Sequence, residues 1–203
     1  MGDENVSNSS LKFTKPQMFP EVYEDKIDII EFLEASTYLV SLVDSLGKVF
    51  APVKYDMQGN IDKIRKCYEI QKDTCLLQLM STERSNNQKV AMESVLWLNR
   101  ALLFFELLFL QIIDLLRSPN TSKNLNISMT KFLTVAYEGS VKKHHNWANK
   151  QLFSVIQTCN LLTSLGIDEE PQAFLANMIS YNQTLTTVRK KIDNYFEVHQ
   201  LFL

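Results

Sequence analysis

The segment "WLNRALLFFELLFLQIIDLL", residues 97–116, limits the fold more than any other part of the chain. Twenty helical residues rise about 30 Å, enough to cross a bilayer. The run nevertheless carries Arg100, Glu106 and Asp114. Each charge near the middle of a membrane helix costs about 2.5–3.5 kcal/mol on the insertion scale. A helix this apolar that stays out of the membrane must be enclosed by other helices. The run therefore predicts the central helix of a soluble bundle.

The remaining pattern agrees with an all-α fold. Apolar residues recur at three- and four-residue steps in segments of roughly 25–46, 53–70, 73–84, 87–117, 127–160 and 171–200, some of them divided. The breakers "GKVFAP", "SPNTSKN" and "LGIDEEPQ" lie between segments. In the last segment Phe174, Met178, Tyr181, Leu185, Val188, Ile192 and Tyr195 form one core-facing stripe. Residues 1–15 are polar and aperiodic, which predicts a disordered tail before a single domain at 16–203. Five glycines and five prolines are too few for the turns of an all-β domain, and the glycines are too scattered for a phosphate-cradling loop.

Composition narrows the function classes. A chain of 203 residues, 45% hydrophobic and 22% charged, is a globular protein with room for one substantial core. Its net charge of −2 argues against nucleic acid as a partner, while a local basic patch meeting a membrane stays open. Three cysteines, Cys67, Cys75 and Cys159, are an odd count without metal spacing. That pattern fits free thiols in a reducing compartment. The polar, acidic N-terminus does not resemble a signal peptide, so the cytoplasm is the expected location.

Three constellations invite chemistry. In "VKYDMQGNIDKIRK" (53–66), Met57, Ile61, Ile64 and Tyr68 make the core face of a helix, and Gln58, Asp62, Arg65, Lys66 and Glu69 its solvent face. Asp56, Asn60 and Lys63 lie between the two, within about 40° of one line. The commoner use of such a row is an Asp–Lys ion pair with Asn filling in. The other is an anionic acceptor, a two-way amide and a cationic donor set out for a ligand rich in hydroxyls. Gly59 is unfavourable in mid-helix by about 1 kcal/mol relative to alanine, which makes sense where something approaches the backbone closely. On the apolar helix, Glu93, Trp97 and Arg100 share a face; Trp97 is either a core residue flanked by charges or a stacking platform. In "VKKHHNWANK", His144 and His145 point about 100° apart and cannot easily share one metal. No metal or cofactor is expected. Trp147 among Lys142 and Lys143 fits either a membrane-interface patch or a solvated basic face.

The stretches "VFAPVKYDMQGNIDKI", "VLWLNRALLFFELLFLQ" and "AYEGSVKKHHNW", in this order and at these separations, resemble the glycolipid transfer protein family over about 32–152. The resemblance implies a two-layer helical fold, about eight helices around an apolar lipid cavity, cytosolic and monomeric, acting as a carrier and not as an enzyme. It implies that Trp97 stacks on the first sugar of a glycosphingolipid, that Asn60 and Lys63 bond its hydroxyls, and that Asp56 holds both the sugar and the ceramide amide. His145 matches the histidine that binds the ceramide carbonyl, and Phe50, Val53, Val141 and Phe153 match positions lining the chain pocket. Asn146 departs from the family's small residue. Contact with membranes is transient, through Trp147, Lys142 and Lys143. The competing readings are a ceramide-1-phosphate carrier of the same superfamily and a glycolipid sensor that signals through a partner. Glu93 and Arg100, beside Trp97, are the candidates for setting headgroup selectivity, with Glu93 repelling anionic headgroups.

Overall fold

A computed structural model describes residues 13, 15–24, 26–45, 50–72, 75–118, 129–144 and 171–201. The described residues form six α-helices and no strand: α1 (Ile29–Ser45), α2 (Ala51–Gln71), α3 (Leu76–Ser85), α4 (Val90–Arg117), α5 (Met129–Gly139) and α6 (Pro171–Val198). A 3₁₀ turn follows α5 at Lys142–His144. The expectation of about eight helices includes residues 145–170, which lie outside the described residues.

Local chemistry explains four of the helix ends. Asp28 caps α1 by accepting the Glu31 N–H at 2.9 Å. Pro52 sits in the first turn of α2, where its missing N–H breaks no helical bond, so "GKVFAP" ends as a breaker at Ala51 and not after the proline. Lys72 closes α2 in the left-handed conformation, its N–H bonding the Tyr68 carbonyl at 2.7 Å. The expected segment 127–160 is interrupted early: α5 stops at Gly139, and Ser140 turns its hydroxyl back onto the Ala136 carbonyl.

α4 is the central helix. It packs against α2, α3, α5 and α6, and α1 packs against α2. Length and composition would let it span a membrane, yet Leu98, Leu102, Phe105, Leu108, Phe109 and Ile112 are buried against those neighbours. All seven stripe residues of α6 are buried as the periodicity predicts. Phe13, inside the expected tail, is fully buried instead: its ring meets Tyr38, Phe109, Phe174 and Tyr181 at centroid distances of 5.2–6.4 Å. A lone aromatic in a polar stretch has no periodicity to announce it.

Long-range contacts set the helix directions. Asn99 meets Asp193, Glu106 meets Arg189 and Phe109 meets Tyr181, so α4 and α6 run antiparallel. α1 begins where Asp28 bridges Cys75 and carries Tyr38 to the level of Phe109, both rings meeting Tyr181. Lys54 Nζ reaches Asp44 at 2.8 Å, tying the start of α2 to the end of α1. α2 therefore runs antiparallel to both α1 and α4.

Candidate functional site

The two sides of α2 face different neighbours. Lys54, on one side, holds α1 through Asp44. Cys67, on the other, donates its thiol proton to Glu83 Oε1 at 3.6 Å. Glu83 is fully buried and accepts the Ala91 and Met92 N–H groups, each at 2.9 Å, at the start of α4. One buried carboxylate on α3 thus joins the end of α2 to the beginning of α4. Lys89, the N-cap position of α4, supplies no side-chain cap of its own. Neither Cys67 nor Glu83 stands out in the sequence, because their link spans sixteen residues and two helices.

Asp56, Asn60 and Lys63 lie on the Cys67 side of α2, hence toward α4. Counting from the Cys67–Glu83–Ala91 junction, Asn60 stands about 10 Å along α2 and Trp97 about 9 Å along α4, at 1.5 Å per residue. The row and the indole are therefore at one level on adjacent helices. Asn60 is 4% exposed and donates its amide to the Asp56 carbonyl oxygen at 2.9 Å, while the Asp56 and Lys63 side chains are exposed. The row is graded, with its amide at the edge of the core and its charges outward. Lys54 of α2 makes an ion pair with Asp44 of α1 at 2.8 Å.

On α4, Trp97 is 36% exposed. It is neither a core tryptophan nor a freely solvated one. The Arg100 guanidinium lies over its ring, 4.5 Å from the centroid, in cation–π contact. Partial burial pulls the Arg100 pKa down from its ordinary value, though the group keeps its charge. Glu93, one turn before Trp97, is exposed in the first turn of α4.

Phe50 is buried at the head of α2, and Val53 is half-buried against the core. Val141 is half-buried beside the 3₁₀ turn; Lys142 and Lys143 are exposed, Lys142 bonding Glu138 at 2.6 Å. His145, Asn146, Trp147 and Phe153 lie outside the described residues. Helical geometry thus sets the Asp56, Asn60 and Lys63 row of α2 level with the Glu93, Trp97 and Arg100 face of α4, on two helices that pack together.

Comparison with known proteins follows the same lines. Residues 27–161 match the glycolipid transfer protein family model. The chain is similar to the glycolipid transfer protein of Danio rerio, 33% identical over 144 residues that span 66% of this chain and 67% of the relative. Among solved structures it is similar to the GLTP-fold of FAPP2, which selects simple glycosphingolipids, with a TM-score of 0.76, 23% identity and coverage of 97% and 96% of the two chains. It is also similar to mouse ceramide-1-phosphate transfer protein, with a TM-score of 0.74, 17% identity and coverage of 87% and 89%. At those identities the two structures speak for the fold.

Proposed function

The chain belongs to the glycolipid transfer protein family, and we propose that it is a non-enzymatic carrier that lifts a glycosphingolipid out of one membrane and delivers it to another. What supports this reading is that the row Asp56–Asn60–Lys63 and Trp97, one third exposed, come level on the packed helices α2 and α4. A sugar ring needs an aromatic surface under its C–H face and a mixed set of donors and acceptors around its hydroxyls. α4 supplies the first and α2 the second.

In this reading the first sugar lies on Trp97, Asn60 and Lys63 bond its hydroxyls, and Asp56 accepts from the sugar and from the ceramide amide N–H. His145 donates to the ceramide carbonyl. The hydrocarbon chains enter an apolar cavity between two helical layers, past Phe50, Val53, Val141 and Phe153. Each methylene kept from water is worth about 0.8 kcal/mol. Exchange between a bilayer and such a cavity is therefore near balance, whereas passage through bare water is not. Trp147, Lys142 and Lys143 touch the membrane during loading, and the carrier works as a cytoplasmic monomer.

Arg100 and Lys63 together give the site two cations, which is the feature favouring a ceramide-1-phosphate carrier. Exposed Glu93 on the same face opposes an anionic headgroup. The deciding experiment is vesicle-to-vesicle transfer of fluorescent glucosylceramide and ceramide-1-phosphate. Glucosylceramide is expected to move, with at least a tenfold loss for Asp56→Val and for Trp97→Ala. Transfer of ceramide-1-phosphate alone would select the competing carrier, and tight binding without transfer would select the sensor.

A further inference from the structure

Among the described residues nothing requires position 59 to be glycine. Gly59 sits inside α2 in ordinary helical conformation, and among the described residues a methyl group built on it would meet nothing within 4 Å. Gly139 makes the contrast: there the added carbon would stand 2.7 Å from Leu107 Cδ1, so close packing of α5 on α4 accounts for it. Glycine lowers helix stability, and at position 59 no turn and no described neighbour compensates.

The direction in which Gly59 points gives its surroundings. On the helix it falls between Lys63 and Tyr55, about 40° from each. Tyr55 lies one turn before it and is 71% exposed, and Lys63, one turn after it, is also exposed. Because the Asp56–Asn60–Lys63 row faces α4, Gly59 and Tyr55 lie on the outer side of that row, away from Trp97. Outward from Trp97, a ligand crosses the hydrogen-bonding row, then bare backbone, then an exposed aromatic ring.

We propose that Tyr55 and Gly59 form a subsite for a second sugar ring, linked to the first, so that the chain distinguishes ceramides bearing two sugars from those bearing one. The bare backbone at Gly59 lets the second ring come close to α2. Tyr55 offers an aromatic face for its C–H surface and a phenolic hydroxyl for its rim. Exposed Asp62 and Lys66, on the flanking turns, add further hydrogen-bonding groups. This subsite rests on the headgroup reading above, because it continues the surface on which the first sugar lies.

The test is vesicle-to-vesicle transfer of two acyl-labelled probes, glucosylceramide with one sugar and lactosylceramide with two. The parent protein is compared with Tyr55→Ala, Tyr55→Phe and Gly59→Leu, each checked for unchanged helicity. Tyr55→Ala is expected to slow lactosylceramide about fivefold, the size of one stacking contact, with glucosylceramide changed less than about twofold. Tyr55→Phe keeps most of the lactosylceramide rate, and Gly59→Leu loses it through the filled surface. Equal loss of both probes in Tyr55→Ala would make Tyr55 a membrane anchor and overturn the subsite. So would no loss of either. A parent protein that moves neither probe overturns the headgroup reading itself, and the subsite with it.

Discussion

Glu83 ties α2, α3 and α4 together through one side chain. Its carboxylate takes two backbone N–H groups of α4 and the Cys67 thiol of α2. Removing it leaves two buried N–H donors without partners, at about 1–3 kcal/mol each. Glu83→Ala is therefore expected to lower unfolding free energy by about 2–6 kcal/mol in urea melts. Cys67 gives a second, pH-dependent readout. Burial, then the nearby Glu83 charge, push its thiol pKa up from 9.0 to about 11. An acid whose pKa is raised on folding stabilises the fold fully below its unfolded value and loses that contribution as pH climbs through the folded one. Stability should consequently fall between about pH 9 and 11, and Cys67→Ala should make that fall shallower. Equal slopes in the two proteins would show that the thiol does not titrate against the fold. Tyr38, raised by burial to about 12, acts in the same direction at higher pH.

Between elements, the contact to test is the lock of α4 on α6. Arg189 is 7% exposed and bonds Glu106 across the interface and Asp193 on its own helix, while Asn99 of α4 donates to Asp193 at 2.6 Å. Breaking such a buried pair leaves an uncompensated charge and costs about 3–5 kcal/mol, more than the pair itself contributes. Arg189→Ala should lower the urea midpoint strongly, and Arg189→Met combined with Glu106→Leu should recover much of the loss. Comparable stability of the single and double variants would refute the charge argument. This lock was illegible in the sequence, since Glu106 and Arg189 are 83 residues apart and nothing local states the register of α4 on α6. What local pattern does state, it states well. Helical angles placed Met57, Ile61 and Ile64 in the core, and Asp56, Asn60 and Lys63 on its border. They could not give the depth of Asn60, the partner over Trp97, or the open space at Gly59, because those depend on where the neighbouring helices lie. Trp97 shows the same limit: how far it is covered depends on α4's packing, which leaves one third of the residue exposed.

For the molecule as a whole, the question is what keeps the membrane-length helix of this bundle from entering a bilayer. α4 meets the length and hydropathy of a spanning helix, but its neighbours already cover most of its apolar surface. Insertion would exchange those packed contacts for lipid with little gain, and it would bury Glu106 and the Arg189 pair beneath hydrocarbon. In the proposed carrier the interior also receives the lipid chains, and occupancy then becomes measurable as stability. A ligand that binds only the folded state at a hundred times its Kd adds about 2.7 kcal/mol. For a chain of this size each kcal/mol raises Tm by about 2–4 °C. Glucosylceramide loading is accordingly expected to raise Tm by about 5–10 °C in differential scanning calorimetry. Trp97→Ala and Asp56→Val should show much smaller shifts at the same lipid concentration, because their chain-binding interior is intact and only headgroup recognition is lost. If all three proteins shift equally, the stabilisation comes from the hydrocarbon alone, and the α2–α4 face plays no part in choosing the lipid.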